Sequence, residues 1–347
     1  MAKTKGVLAR SVDEITVTFV ASKKSHDMKA IRIHEFGGPE VMKMEEVERP
    51  APQSDEILVK MYASGVNPAD YIVRRGGNEL LKPFLKLPLG LGLDGAGEIV
   101  EIGHDVTGFK KDDRVYGLPN FLSGTYAEFI AAKANQFALM PNNVSFNEAG
   151  AIPSCALMAW NGMDLGKVSA GQRVLVHGAS GGIGCLAVQF AKSKGASVIG
   201  TASHRNLDFL EQLGADEVID YKDENFAGLL QDIDVVFDAS SVFNEDARMM
   251  MAGALKPGGR FVSVQLPYPF SEAFLNLLAN KHGEAKMIRR ELDVAQSLSD
   301  IAILIQEGKV KVFVNKVYPM EKAAEAHAEL EAKSVWGKIV LEIRKEH

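Results

Sequence analysis

The stretch V-L-V-H-G-A-S-G-G-I-G-C-L-A-V-Q-F-A-K-S-K-G-A-S-V-I-G-T-A-S, Val174 to Ser203, decides how this chain is read. Val174 to Val176 predict a strand and Ile183 to Lys194 a helix, so the loop Gly178-Ala179-Ser180-Gly181-Gly182 sits at a helix N-terminus. Glycines there let the backbone approach a pyrophosphate, while unpaired N–H groups and the helix dipole favour its negative charge. A tight packing turn needs glycines too, so the flanking pattern has to decide. From about Glu148 onward, strand-like runs at Arg173–His177, Ser197–Thr201, Glu217–Asp220, Val235–Asp238 and Arg260–Val264 alternate with helical segments such as Asn206–Leu213 and Asp246–Leu255. That alternation is the signature of a parallel sheet wrapped by helices, and in that setting the loop points to a dinucleotide.

The end of the second strand bears on which dinucleotide. A site for the unphosphorylated cofactor usually places Asp or Glu about 20 residues beyond the loop, on the ribose 2′-hydroxyl. Here the strand runs into Thr201-Ala202-Ser203-His204-Arg205. Ser203 can donate a hydrogen bond and Arg205 a charge-assisted one to a 2′-phosphate. NADPH is therefore the expected cofactor, with Arg205 as a solvated helix-start residue the competing explanation.

Composition sets the outer limits. The chain has 347 residues, 46% hydrophobic and 24% charged, enough for two domains of ordinary globular character. A net charge of -6 offers no global attraction to nucleic acid or an anionic membrane, and no long apolar run reads as a membrane span. Two cysteines, Cys155 and Cys185, are too few for a disulfide framework and point to a reducing compartment, the cytoplasm. Residues 1–27 read as an extension: they lack a long apolar run and contain Asp13 and Glu14, which argues against both a signal peptide and an acid-poor mitochondrial presequence. Within it Ile15 to Val20 is rich in β-branched residues, and the extension could add an edge strand or stay disordered.

From Met28 to about Asn147 short runs such as Glu56–Tyr62 and Gly97–Ile102 are broken by Gly and Pro, which predicts a mainly β domain. Past about Glu291 a long helix, a strand at Val312–Val317, a helix from Glu321 and a strand at Lys338–Ile343 close the chain. The expected division is 1–27 extension, 28–147 with 291–347 as one domain, and 148–290 as the dinucleotide domain.

Several motifs in order carry a resemblance: G-V-N-P-A-D-Y-I-V-R-R-G at 65–76, L-G-L-D-G-A-G-E-I-V-E-I-G at 91–103, D-R-V-Y-G at 113–117, G-T-Y-A-E-F at 124–129, the glycine loop, L-G-A-D-E-V-I-D-Y at 213–221 and W-G-K-I-V-L at 336–341. From Met28 to Ile343 the chain resembles the zinc-free quinone oxidoreductase group of the medium-chain dehydrogenase/reductase superfamily. The resemblance implies an α/β protein: a GroES-like β domain, completed by the C-terminal end, and a Rossmann doubly wound parallel sheet, with NADPH between them.

It further implies that Ser180, Gly182, Ile183, Ser203 and Tyr221 line the cofactor, beside Gly181 and Arg205 read from the loop and the strand end, that Val264 and Gln265 approach the nicotinamide, and that Lys338 lies close to the cofactor unless it is a plain surface lysine. The positions matching the catalytic zinc ligands of related dehydrogenases are Asn67, Leu93 and Ser154, a set that cannot hold zinc, so no metal is expected; Cys155 next door reads as a buried thiol. The implied chemistry is hydride transfer to a small electron-poor acceptor, a quinone or an α,β-unsaturated carbonyl, with Tyr71 and Asn67 as catalytic candidates. Tyr71 could equally be a ring packed on the site wall. Met158, Asn206 and the lack of a tyrosine after Gly77 depart from the pattern of relatives. A homodimer is expected from the family alone. An enoyl-thioester reductase and a non-enzymatic NADPH-binding interaction protein are the other two functions the sequence allows.

Overall fold

The computed structural model describes residues 27–79, 81–119, 124–223, 225–265, 268–288, 293–332 and 335–346. The β-branched run at 15–20 lies outside them, and Asp27 already belongs to the strand Asp27–Ile33. No described helix is long and apolar enough to cross a membrane.

Two large sheets organise the chain. The first is wholly parallel, in the order Glu217–Asp220, Ser197–Ala202, Arg173–His177, Ile233–Asp238, Leu255–Ser263, Glu284–Met287. Val174, Leu175 and Val176 are fully buried, as a central strand covered by helices on both faces requires. The strand order reverses direction between Arg173–His177 and Ile233–Asp238, the switch point outside which such sheets bind nucleotides. Glu284–Met287 is a strand the sequence reading did not contain. Its alternating exposure and its short E-A-K-M run mark an edge strand rather than a buried apolar one.

Among the described residues the second sheet has seven strands, with Val314–Pro319, Lys338–Glu342, Glu56–Val66, Gly95–Ile102, Arg114–Gly117 and Phe137–Leu139 in line and Phe129–Lys133 paired to the long strand Glu56–Val66. The last strand of the chain runs antiparallel to Glu56–Val66 with Ile339 opposite Val66 and Val340 opposite Gly65. This register brings Lys338 to the residue that follows Val66, which is Asn67. The helix expected from Glu321 begins as a 3-10 turn, Met320–Lys322, before the α-helix Ala323–Glu331.

One hydrophobic cluster runs through both units, from Tyr62, Leu93 and Tyr116 on the β side to Val176, Leu186 and Phe237 on the parallel side. The helices Pro153–Leu165 and Val294–Gln306 lie in this seam, and Tyr116 crosses it to donate to the carbonyl of Leu298 at 2.6 Å.

A buried polar chain fixes the short helix Pro68–Arg74 against Ala323–Glu331. Arg74 is fully buried; it donates to the carbonyl of Gly37 at 3.1 Å, to His327 Nδ1 at 2.9 Å and to Glu331, which Arg75 also holds. A guanidinium only donates, so His327 Nδ1 accepts and the neutral ring carries its proton on Nε2. That proton faces Tyr126 Oη at 3.1 Å, and the tyrosine hydroxyl donates in turn to Asp70 Oδ2 at 2.9 Å. Burial, helped by Arg74, holds His327 down at about 3, and burial pushes Asp70 up to about 7.

The two shifts act on stability with opposite signs. A carboxyl whose folded pKa is raised binds more protons folded than unfolded, so Asp70 makes stability fall as pH rises from about 4 to about 7. His327, depressed below its unfolded value, makes stability rise between about 3 and 6.5. Across pH 4 to 6.5 the pair nearly cancels. His327→Asn removes one side of the balance, so urea unfolding of that variant should show stability falling from pH 4 to 7 by on the order of 3 kcal/mol relative to wild type. A variant whose profile runs parallel to wild type over that range contradicts the assignment.

Candidate active site

The glycine loop leaves the strand Arg173–His177 at Gly178, whose φ of +75° is a conformation only glycine takes without strain. It enters the helix Gly182–Ser193 with Gly181 as N-cap, where no side chain satisfies the first turn. The first intrahelical bond is Cys185 N–H to Gly181 O, leaving the N–H groups of Ile183 and Gly184 without an acceptor among the described residues, while that of Gly182 is turned to the Gly337 carbonyl in a β-bridge. The helix carries no acidic residue in its first turn. A Cβ on Gly181 would meet only the Gly178 carbonyl at 3.5 Å, so open space lies over the loop. These features fit the pyrophosphate of a dinucleotide.

Around the loop, Asn206 Nδ2 donates to Ser180 Oγ at 3.2 Å. Ser203 starts the turn His204–Asn206, and Arg205 has no hydrogen bond or ion pair among the described residues. Tyr221 is 43% exposed and meets the His177 ring edge-on at a centroid distance of 6.2 Å. One carboxylate does stand near: Asp220, on the third strand, pairs in register with Ala202 and is taken up by the Lys222 N–H at 2.9 Å, with His204 at 4.0 Å. The sequence reading considered only the second strand and did not see it.

The structure turns the side chain of Gln265 into a brace. Its Nε2 donates to the carbonyls of Ser240 at 2.9 Å and Val242 at 3.0 Å, and its Oε1 accepts from the buried Arg248 at 3.0 Å. The amide thus ties together the loops after two adjacent strands, while Val264 packs against the main core. Beside it, Thr201, His177, Asp238 and Ser263 occupy register-matched positions at the ends of four neighbouring strands, with His177 Nδ1 2.8 Å from Thr201 Oγ1 and Ser263 Oγ donating to Asp238 at 3.2 Å. This polar row needed strand register to be seen.

The opposite wall is built by Asn67 and Lys338. Gly337 N–H donates to the Ser180 carbonyl at 2.8 Å, and a β-bridge joins Gly181 to Gly337, so the C-terminal segment docks directly on the glycine loop. Phe209 packs on both Trp336 and Phe313 and steadies that segment. Lys338 then runs past Gly182, where a Cβ would come within 2.7 Å of its Cδ and 3.1 Å of Cys155 Sγ. Its ammonium donates to Asn67 Oδ1 at 2.5 Å and to the Val66 carbonyl at 3.1 Å. Lys338 is only 4% exposed, so it is no surface lysine. Asn67 is oriented from the other side: its Nδ2 donates to Asp94 Oδ1 at 2.8 Å, and Asp94 Oδ2 accepts the Ser154 N–H at 2.8 Å. Burial pushes Asp94 up while the Lys338 charge pulls it back; the neighbouring carboxylates and Cys155 hold the Lys338 proton on in spite of its burial.

Asn67, Lys338, Ser180, Gly181, Gly182 and Ile183 are thus brought to one place. Tyr71 is half-buried, capped by Arg75 with its guanidinium 5.6 Å from the ring centre, and its hydroxyl has no hydrogen-bond partner among the described residues. Burial and then Glu331 raise its pKa. Asp94 and Asp70 are the site residues that sequence reasoning missed, although both lie inside motifs it quoted. Among the described residues no group of three or more His, Cys, Asp or Glu could hold a metal ion.

Residues 53–142 match the alcohol dehydrogenase GroES-like domain and residues 213–341 the zinc-binding dehydrogenase family. The quinone oxidoreductase of Mus musculus is 34% identical over 319 residues, covering 87% of this chain and 94% of the relative. The 2-methylene-furan-3-one reductase of Solanum lycopersicum is 32% identical over 336 residues, 91% of this chain and 79% of the relative. The solved quinone oxidoreductase of Coxiella burnetii superposes with a TM-score of 0.82 at 32% identity, over 92% of this chain and all of that one. These likenesses support an oxidoreductase that takes a nicotinamide cofactor, NAD or NADP, and reduces a small-molecule acceptor. The chain belongs to the medium-chain dehydrogenase/reductase superfamily, as a member of quinone oxidoreductase type.

Proposed function

We propose that the protein is an NADPH-dependent reductase that delivers hydride to a quinone or an α,β-unsaturated carbonyl without zinc. The observation that carries this is the meeting of an open helix N-terminus with a buried ammonium: Gly181–Gly184 on one wall, Asn67 and Lys338 on the other. Ser180, Gly181, Gly182 and Ile183 would hold the pyrophosphate, Ser203 and Arg205 the 2′-phosphate and Tyr221 the adenosine end. Val264, with the backbone at Gln265, would border the nicotinamide, which supplies a hydride when bound.

Zinc does not suit this site. Asn67 offers an amide already spent on Lys338 and Asp94, Leu93 offers no donor, and Ser154 meets Asp94 through its backbone. A cation in hydrogen-bond contact with Asn67 also repels a metal ion. Two buried free thiols, Cys155 and Cys185, fit a reducing compartment such as the cytoplasm. The edge strand Glu284–Met287 is where a second copy could extend the sheet into a homodimer.

Steady-state oxidation of NADPH and NADH against quinones, enones and acyl thioesters, with and without a chelator, tests this function. We expect NADPH to be preferred, quinones and enones to be turned over, and chelation to change nothing. An NADH preference, stoichiometric zinc whose removal stops turnover, or reduction of acyl thioesters alone contradicts it.

Two substitutions probe the parts. Gly182→Val drives a branched side chain into Lys338 and Cys155 at the loop, so NADPH affinity measured by fluorescence titration should fall at least about tenfold, or about 1.4 kcal/mol; wild-type affinity argues against the cradle. Tyr71→Phe should lower the rate with an enone by about tenfold or more and the rate with a quinone less, cofactor affinity being unchanged, because a free hydroxyl near the acceptor is lost. Wild-type rates with both acceptors make Tyr71 a wall residue.

A further inference from the structure

We infer that the Lys338 ammonium is the proton donor and oxyanion-stabilising charge of the reaction, held in place by Asn67 and Asp94. The inference rests on the reductase function proposed above. Two of the three ammonium protons are spent, on Asn67 Oδ1 at 2.5 Å and the Val66 carbonyl at 3.1 Å. For the third, the neighbouring side chain is the thiol of Cys155, and sulfur is a weak acceptor. An ammonium that has lost its water and has one poorly satisfied proton is primed for an anionic oxygen.

The surrounding groups hold that proton in place. Asp94 precedes the strand Gly95–Ile102, Asp70 is on the helix of Asn67, Cys155 on Pro153–Leu165 and Cys185 on the glycine-loop helix; these are the titratable groups that face Lys338. The two carboxylates and the thiol favour its charged form. Asn67 serves as a positioning residue: with Nδ2 fixed on Asp94, its oxygen can only face the ammonium. The alkyl chain passes Gly182, and the ammonium ends at Asn67 and Val66 instead of being free in solvent.

The step balances as follows. When an enone accepts hydride at its β-carbon, the C=C electron pair becomes a new double bond between the α-carbon and the carbonyl carbon, and the carbonyl π pair moves onto the oxygen. One N–H bond of Lys338 breaks, an O–H bond forms, and an enol and a neutral amine result. The enol tautomerises to the ketone in water, and the amine takes a proton back from solvent.

Lys338→Met and Lys338→Arg test the idea in the full chain, with thermal unfolding to verify the fold. For Lys338→Met we expect enone turnover to fall at least about 100-fold, quinone turnover far less, NADPH affinity by fluorescence titration to stay within about threefold, and the solvent deuterium isotope effect of wild-type enone reduction to disappear. Lys338→Arg should recover the charge but not the proton, and so part of the rate. Equal losses with both acceptors, accompanied by lost NADPH affinity, reduce Lys338 to a cofactor or structural contact and overturn the inference. A readout independent of turnover is 4-nitrophenol, a chromophoric mimic of the enolate oxygen. Bound to wild type with NADP it should ionise at lower pH than when bound to Lys338→Met. Equal ionisation in the two proteins, or no binding, also overturns the inference. If wild type reduces neither enones nor quinones, the proposed reductase function fails, and the phenol titration alone decides the role of Lys338.

Discussion

The ammonium of Lys338 lies 2.5 Å from Asn67 Oδ1 with almost no solvent around it, and much of the site depends on that contact. Desolvating a charge costs several kcal/mol unless neighbours replace the lost water. Here the replacement comes from both halves of the molecule: Asn67, Val66, Asp94 and Asp70 from the β side, Cys155 from the helix that lies in the seam. The contact can form only if the last strand of the chain pairs with Glu56–Val66 in the observed register, since a one-residue slip would turn Lys338 to the other face. Register, charge burial and the union of the two sheets are therefore one constraint.

The same arrangement explains why the glycine loop is shaped as it is. Gly181 and Gly337 bridge the two sheets, and Gly182 has no side chain because Lys338 occupies the space a Cβ would need. The loop meets two demands with one set of residues: an open first helical turn for an anion, and a passage for the lysine. A second buried chain, from Arg74 through His327 and Tyr126 to Asp70, secures the helix that begins at Asn67 and so reaches the same site from behind.

Much of this was legible in the sequence because it is local. The strand Arg173–His177 was located to the residue, and the loop's glycines and the alternating strands and helices after it are periodic signals that need no tertiary knowledge. The Lys338–Asn67 contact spans 271 positions and the Arg74–His327 contact 253, so no spacing rule could reveal them. Asp94 stood in a quoted motif with no role assigned to it; only the fold sets its two oxygens against Asn67 and Ser154. Gln265 was placed at the right strand end, yet Arg248, which turns its amide into a brace, was not read as its partner. The edge strand Glu284–Met287 was missed because half of its residues are polar and solvated.

Whether Lys338 is a charged group sealed between the two sheets can be measured directly by NMR of the protein labelled with nitrogen-15 at lysine Nζ, with the Lys338→Arg variant used to assign its resonance. The structure predicts an ammonium signal with slowly exchanging protons that stays protonated throughout the pH range in which the protein is folded, because the nearby carboxylates and Cys155 outweigh its burial. A Lys338 signal that exchanges as fast as surface lysines, or that turns into a neutral amine near neutral pH, would contradict it.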